Sequence, residues 1–174
     1  MKSEPNLLDF EVDKLTNSIE NTVTGEVFET EVAQITLREK RLIKKSAWLF
    51  DWHLELKAAP QKEVFKLSTV NNPDIIQGLM CFEDKKDHIF LHLLESAKFN
   101  KGRQKLYLGV AGNLVAFACR VSFEKGCEGF VAFDSKTALI KHYEQSLGAT
   151  HFRGQRMFIE TLAAEKLVAR YFAS

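Results

Sequence analysis

Between Glu63 and Glu95 the apolar residues fall into three short runs parted by tight polar turns, and beyond residue 98 that pattern gives way to another. Glu63–Ser68 alternates, Ile75–Glu83 is a second run and His88–Glu95 a third, with turn signals at Asn71–Asp74 and Asp84–Asp87. The spacing predicts three strands in an antiparallel meander. After a basic stretch with Lys98, Lys101, Arg103 and Lys105 comes Gly109-Val110-Ala111-Gly112. Asn113–Lys125 then reads as a helix with Leu114, Phe117, Ala118 and Val121 on one face and Gly126 as its terminator. Gly129–Phe133 is a short unalternating apolar run, the mark of a strand buried on both faces. A helix over Lys136–Leu147, closed by Gly148, follows it. A strand or hairpin within 150–160 and a last helix capped by Thr161, carrying Leu162, Leu167, Val168 and Tyr171, complete the order. Helices that alternate with strands predict an α/β fold.

The opening sixty residues are harder to read. Asp13–Val23 has weak helical spacing, Thr24-Gly25 reads as a turn, and Glu26–Ile35 as an extended segment. Leu42, Ile43, Trp48, Leu49, Trp52 and Leu56 recur at three- and four-residue steps and predict a helix over 37–58, ended at Ala58-Ala59-Pro60. The 174 residues suit one domain, and the 14 Phe call for an aromatic-rich core. No apolar run approaches the length of a membrane span, and the acidic start has no apolar leader segment. With no close pair among them, Cys81, Cys119 and Cys127 read as buried free thiols in a reducing cytoplasm. The histidines show no metal-binding spacing, so no metal site is expected. A net charge of +1 argues against nucleic acid as a partner. Charge is uneven all the same: residues 1–34 hold two basic against eight acidic side chains, and residues 35–62 seven basic against three acidic. The run Arg38–Lys45 reads as a solvated face, with an anion-binding patch as the alternative.

The glycine turn carries the chemistry. Small residues let a backbone approach a ligand, and the free N–H groups of a helix start suit a phosphate or pyrophosphate. Lys101, Arg103 and Lys105 would add positive charge. The segment has neither GxxxxGK[ST] nor GxGxxG, which argues against a P-loop or a dinucleotide fold.

Residues 63–160 resemble the GNAT superfamily of N-acetyltransferases. The resemblance rests on Gly109-Val110-Ala111 continuing into Gly112, Asn113 and Leu114, on the buried strand Gly129–Phe133, and on the helix that ends His142-Tyr143-Glu144-Gln145-Ser146-Leu147-Gly148-Ala149. In that family the glycine-containing loop binds the pyrophosphate of acetyl-CoA through backbone amides. The resemblance implies one α/β domain over 1–174, with a mixed, mainly antiparallel central sheet flanked by helices. Residues 1–60, on the acceptor side, match nothing in it. It implies acetyl-CoA as acyl donor, held by Leu106, Gly109, Val110, Ala111, Gly112, Asn113 and Leu114. Leu106 stands where the family carries Arg or Gln.

The implied activity is transfer of an acetyl group to a primary amine of a small molecule or peptide, by direct attack. The alternative is a catalytically silent CoA-binding or regulatory module. Tyr143 matches the family tyrosine and would protonate the leaving thiolate, a task a neutral phenol can perform. Glu95, the first charged side chain at the end of its strand, is the candidate base for the amine. His92 and His142 are weaker candidates, and Trp48, Phe50 and Trp52 would line the acceptor pocket or pack in the core. A homodimer is left open.

Overall fold

A computed structural model describes residues 6–172. In chain order the elements are β1 (Ile19–Asn21), β2 (Val27–Phe28), β3 (Thr30–Ile35), α1 (Trp52–Leu56), β4 (Glu63–Thr69), β5 (Gly78–Asp84), β6 (Ile89–Ser96), β7 (Tyr107–Leu108), α2 (Val110–Glu124), β8 (Val131–Asp134), α3 (Ile140–Leu147), β9 (Thr150–Arg153), β10 (Arg156–Ile159) and α4 (Thr161–Tyr171). The main sheet has seven strands in the order β3-β4-β5-β6-β8-β10-β9, and a second sheet runs β2-β1-β7. Every ladder of the main sheet is antiparallel except β6–β8. The α/β fold with a mixed, mainly antiparallel sheet, expected from the sequence, is the one observed.

Two apolar clusters hold the sheet. The larger joins Phe65, Met80, Phe82, Leu91 and Leu94 to the apolar residues of α2, and reaches through it to Tyr171 of α4. A helix buried on all sides needs apolar or small residues all round. Val110 to Cys119 meets that demand at every position but the buried Asn113, with the sheet on one side and α4 on the other. Gly112 marks the closest approach: a Cβ there would stand 1.8 Å from Tyr171 Oη. The smaller cluster, on the opposite face, packs Ile43, Trp52 and Leu56 onto Val64, Leu79, Cys81 and Leu93.

The helix expected over 37–58 does not form. Short 3-10 turns cover Leu37–Leu42 and Lys45–Ala47, and α1 spans only five residues, capped by Asp51 through Leu54 N–H at 3.1 Å. Ile43, Trp52 and Leu56 are buried while Leu42, Leu49 and Leu54 are exposed, so the apolar spacing never made one face. Tertiary hydrogen bonds from Leu49 and Phe50 to Glu95 take the place of helical ones. The weak helical spacing of 13–23 also failed, and its end is β1. The glycine segment is corrected as well: α2 begins at Val110, so only Gly109 precedes it. Thr161 does not cap α4; its hydroxyl donates to Glu128 O at 2.7 Å. Among the described residues no helix is long and apolar enough to cross a membrane.

Candidate functional site

β6 and β8 form the one parallel ladder between strands among the described residues, and they pair only at Ile89↔Val131 and Phe90↔Ala132. On the other edge of β6, Cys81 faces Leu93 and Phe82 faces Leu91, which leaves His92 as an extra, bulged residue. Beyond these points the two strands part. A crevice at the carboxyl ends of neighbouring parallel strands is where an open α/β sheet takes ligands. Here α2, the crossover between the strands, begins at that crevice.

Gly109 is the N-cap of α2 with φ at +93°, and a Cβ on it would stand 2.0 Å from Thr16 Oγ1. Both the left-handed backbone and the close approach exclude other residues. The first N–H groups of a helix have no partner within it. The first amide of α2 to find one, Asn113, bonds Gly109 O at 2.9 Å. Val110 and Ala111 line a cavity of about 320 Å³ together with Phe50, Glu95, Lys101 and Lys105. A larger hollow of about 660 Å³ lies by α4, lined mainly by apolar side chains such as Leu147, Leu162 and Leu167. It lies away from the glycine turn and every candidate residue, so the smaller cavity is the one relevant to chemistry.

The chain's own beginning fills part of this crevice. Leu8 N–H donates to Asp134 O at 2.7 Å, and Lys136 N–H returns a bond to Leu8 O at 3.1 Å. Phe10 packs its ring on Tyr143 with centroids 4.9 Å apart. Val12 N–H donates to His142 Nε2 at 2.9 Å. The Asp13 carboxylate accepts from Gly109 N–H at 3.0 Å and meets Lys105 Nζ at 3.3 Å. A carboxylate thus sits at the α2 amino terminus, where helix dipole and free amides favour an anion.

The predicted site residues divide. Gly109, Val110 and Ala111 lie on the crevice. Leu106 is half-exposed on the preceding loop, its N–H bonded to Phe99 O at 2.8 Å. Gly112 faces Tyr171, Asn113 is buried with Nδ2 donating to Thr30 Oγ1 at 3.1 Å, and the Leu114 side chain is in the core. None of those last three lines the cavity.

Tyr143 is fully buried, and its hydroxyl donates to Phe10 O at 2.6 Å. Burial, helped by the Asp9 charge, pushes its pKa well above the ordinary phenol range. Glu95 is buried with both oxygens engaged: Oε1 accepts from Phe50 N–H at 3.2 Å and Trp52 Nε1 at 2.9 Å, Oε2 from Leu49 N–H at 2.8 Å and Lys101 Nζ at 3.4 Å. Four donors saturate a carboxylate. The residue expected to be a base therefore ties 49–52 to the sheet, a use invisible to a reading of β6 alone. Trp52 is part of that anchor rather than of a pocket, Trp48 is half-buried, and Phe50 lines the cavity.

His92 and Glu83 form a second polar pair, Nε2 to Oε1 at 2.8 Å, on adjacent strands. Burial lowers the pKa of His92 against the pull of Glu83. Burial works to raise Glu83, but hydrogen bonds from His92, Gln61 and Lys85 outweigh it and hold the carboxyl low. All three cysteines are buried and free, and burial pushes the Cys119 thiol up to about 12. Among the described residues no group of His, Cys, Asp or Glu could hold a metal ion.

The sheet order, the parted parallel pair and the helix between them are those of the GNAT N-acetyltransferases, whose fold this chain has. Its solved likenesses include AtaTR bound with acetyl-CoA, at 17% identity and a TM-score of 0.55 over 80% of this chain and 98% of that one. Another is AtaT complexed with acetyl-methionyl-tRNAfMet, at 14% identity and 0.55 over 80% and 99%. A third is the ribosomal-protein-S18-alanine N-acetyltransferase from Escherichia coli, at 13% identity and 0.52 over 75% and 90%. No protein-family model and no curated protein sequence matches the chain.

Proposed function

We propose that the chain is an acetyl-CoA-dependent N-acyltransferase acting on a primary amine. The observation that supports this best is the start of α2 at the point where β6 and β8 part, with its first amides open to the cavity behind the left-handed Gly109. Fold likeness to acetyltransferases supports it independently. The thioester supplies the acyl group; the protein's tasks are to hold the phosphates, orient the amine and give the thiolate a proton. Lys101 and Lys105 line the cavity and would meet phosphate charge. Tyr143 stays protonated far above neutral pH, which suits a donor, but its hydroxyl is bound to Phe10 O and becomes available only if that contact opens. As it stands the crevice does not fit an anionic cosubstrate, because Asp9, Glu11, Asp13 and Glu95 line it with Lys101 and Lys105. That observation favours the second reading, a regulatory GNAT-fold module. The acceptor is a small amine, a peptide, or an amine carried on nucleic acid, since likenesses named for both a ribosomal-protein alanine and a methionyl-tRNA share the fold.

Thermal shift with acetyl-CoA, followed by thiol release over an acceptor panel, tests the proposal. A raised Tm with thiol release supports the enzyme. A raised Tm without release across the panel supports a silent CoA-binding module, and no shift at all rejects the enzyme and the CoA-binding module together, leaving a regulatory module that holds no CoA. The protein's own thiols are buried and give little background in such an assay.

A further inference from the structure

We propose that residues 8–13 are an intramolecular gate on the acyl-CoA crevice, seated in the free chain and displaced when the cosubstrate binds. The inference rests on the acyl-transfer reading above. Its basis is how the segment is held. Leu8, Phe10 and Val12 are buried while Asp9, Glu11 and Asp13 alternate with them outward, the period of an extended strand. No partner strand runs along both its edges; Leu8 makes a single bridge to Ser135 just past the end of β8. The rest is pinned at isolated points: Phe10 O by the Tyr143 hydroxyl at 2.6 Å, Val12 N–H by His142 Nε2 at 2.9 Å, and Asp13 by Gly109 N–H at 3.0 Å.

Each pin occupies a group the proposed reaction needs. The Asp13 carboxylate takes the amide of the glycine turn and the charge of Lys105, both suited to a phosphate. Phe10 O takes the only proton Tyr143 can donate. The Leu8 peptide bonds Asp134 and Lys136 at the end of β8 and closes that side of the crevice. The segment therefore sets its own anion, the Asp13 carboxylate, where a bound anion would go. Removing it takes Asp9, Glu11 and Asp13 out of the crevice and leaves Lys101 and Lys105 against Glu95 alone, which turns the local charge from net negative to net positive. An anionic ligand and the segment cannot share the space, so the two compete. Because the segment is tethered, its effective concentration is high and the apparent affinity for ligand falls by the fraction of chains that are open.

The test uses the full chain. Hydrogen exchange over residues 6–16 is followed with and without acetyl-CoA, and acetyl-CoA affinity is measured for wild type, Asp13→Ala and Val12→Pro. Asp13→Ala removes the anion from the turn, and Val12→Pro removes the N–H held by His142. Unchanged exchange in β4–β6 certifies that each variant is folded. We expect acetyl-CoA to accelerate exchange over 6–16 and each folded variant to bind acetyl-CoA about fivefold tighter or better, following the gain in open fraction. Binding that leaves 6–16 protected and affinities unchanged overturns the gate while leaving the acyl-transfer reading intact. No binding to wild type or to either folded variant overturns both.

Discussion

Glu95→Gln separates two accounts of one buried carboxylate. As a base, Glu95 would be needed for turnover, and its loss would be offset at high pH, where amines deprotonate unaided. As an anchor, it would be needed for stability at any pH. Glutamine keeps one acceptor oxygen. With that oxygen placed at Oε1, Phe50 N–H and Trp52 Nε1 keep a partner, but the amide nitrogen is then set against Leu49 N–H and Lys101, at 2.8 and 3.4 Å in wild type. Hydrogen bonds to a charged group contribute about 1.5–3 kcal/mol, and a buried donor left without acceptor costs about 1–3 kcal/mol. Two bonds are lost, one of them from the partly exposed Lys101 ammonium, which water can re-solvate, and two are weakened; together they predict a destabilisation of about 2–4 kcal/mol, or on the order of 10 °C in Tm for a chain of this size. Calorimetry at pH 7 and pH 9 together with a kcat profile over the same range decides it. The expected result is a Tm loss at both pH values, with any residual turnover not rescued at high pH. A wild-type Tm with kcat restored at pH 9 refutes the anchor and reinstates the base.

Gly112→Ala gains about 1 kcal/mol of helix propensity but drives a methyl into the buried Tyr171 ring, so a net loss of about 1–3 kcal/mol is predicted, partly relieved by Tyr171→Leu; a Tm at or above wild type contradicts the close approach of α2 and α4. Tyr143→Phe should lower Tm by leaving Phe10 O without its donor and, if the tyrosine is the acid, lower kcat about 10²–10⁴-fold; unchanged turnover assigns it to packing alone. His92 and Glu83 both have depressed pKa values in the fold, so the unfolded chain binds more protons at each as pH falls: burial penalises charging His92, and the hydrogen bonds to Glu83 favour its ionised form. The unfolded histidine takes up its proton as pH falls through about 6.5 and the glutamate lower still, so stability drops with acid. His92→Gln should therefore show a smaller Tm decrease than wild type between pH 7.5 and 5.5, and equal decreases would contradict a neutral His92.

How much was legible in the sequence follows from how local the causes were. The meander β4–β5–β6 was readable because its turns and apolar runs are set by neighbouring residues. The terminators Gly126 and Gly148 were readable because both need positive φ, here +79° and +69°. A glycine turn ahead of a helix was legible, but its boundary was not: α2 already begins at Val110, where the sheet and α4 enclose Val110, Ala111 and Gly112. The 37–58 segment failed for the same reason in reverse. Its spacing allowed a helix, and a carboxylate 43 residues further along from Trp52 outbid it by accepting three of its N–H groups.

The sequence by itself determined the fold class, most of the order of strands and helices after residue 60, with the short β7 missed, and the presence of a glycine turn ahead of a buried helix. Only the tertiary structure decided what each candidate side chain does. Glu95 became an anchor, Gly112 a helix contact, and Asp13, in a stretch that had no readable role, came to lie on the glycine turn 96 residues away in sequence. Local propensity acts over a few residues, whereas buried hydrogen-bonding groups take whichever partner the packed chain brings within 3 Å, and no spacing pattern records that choice.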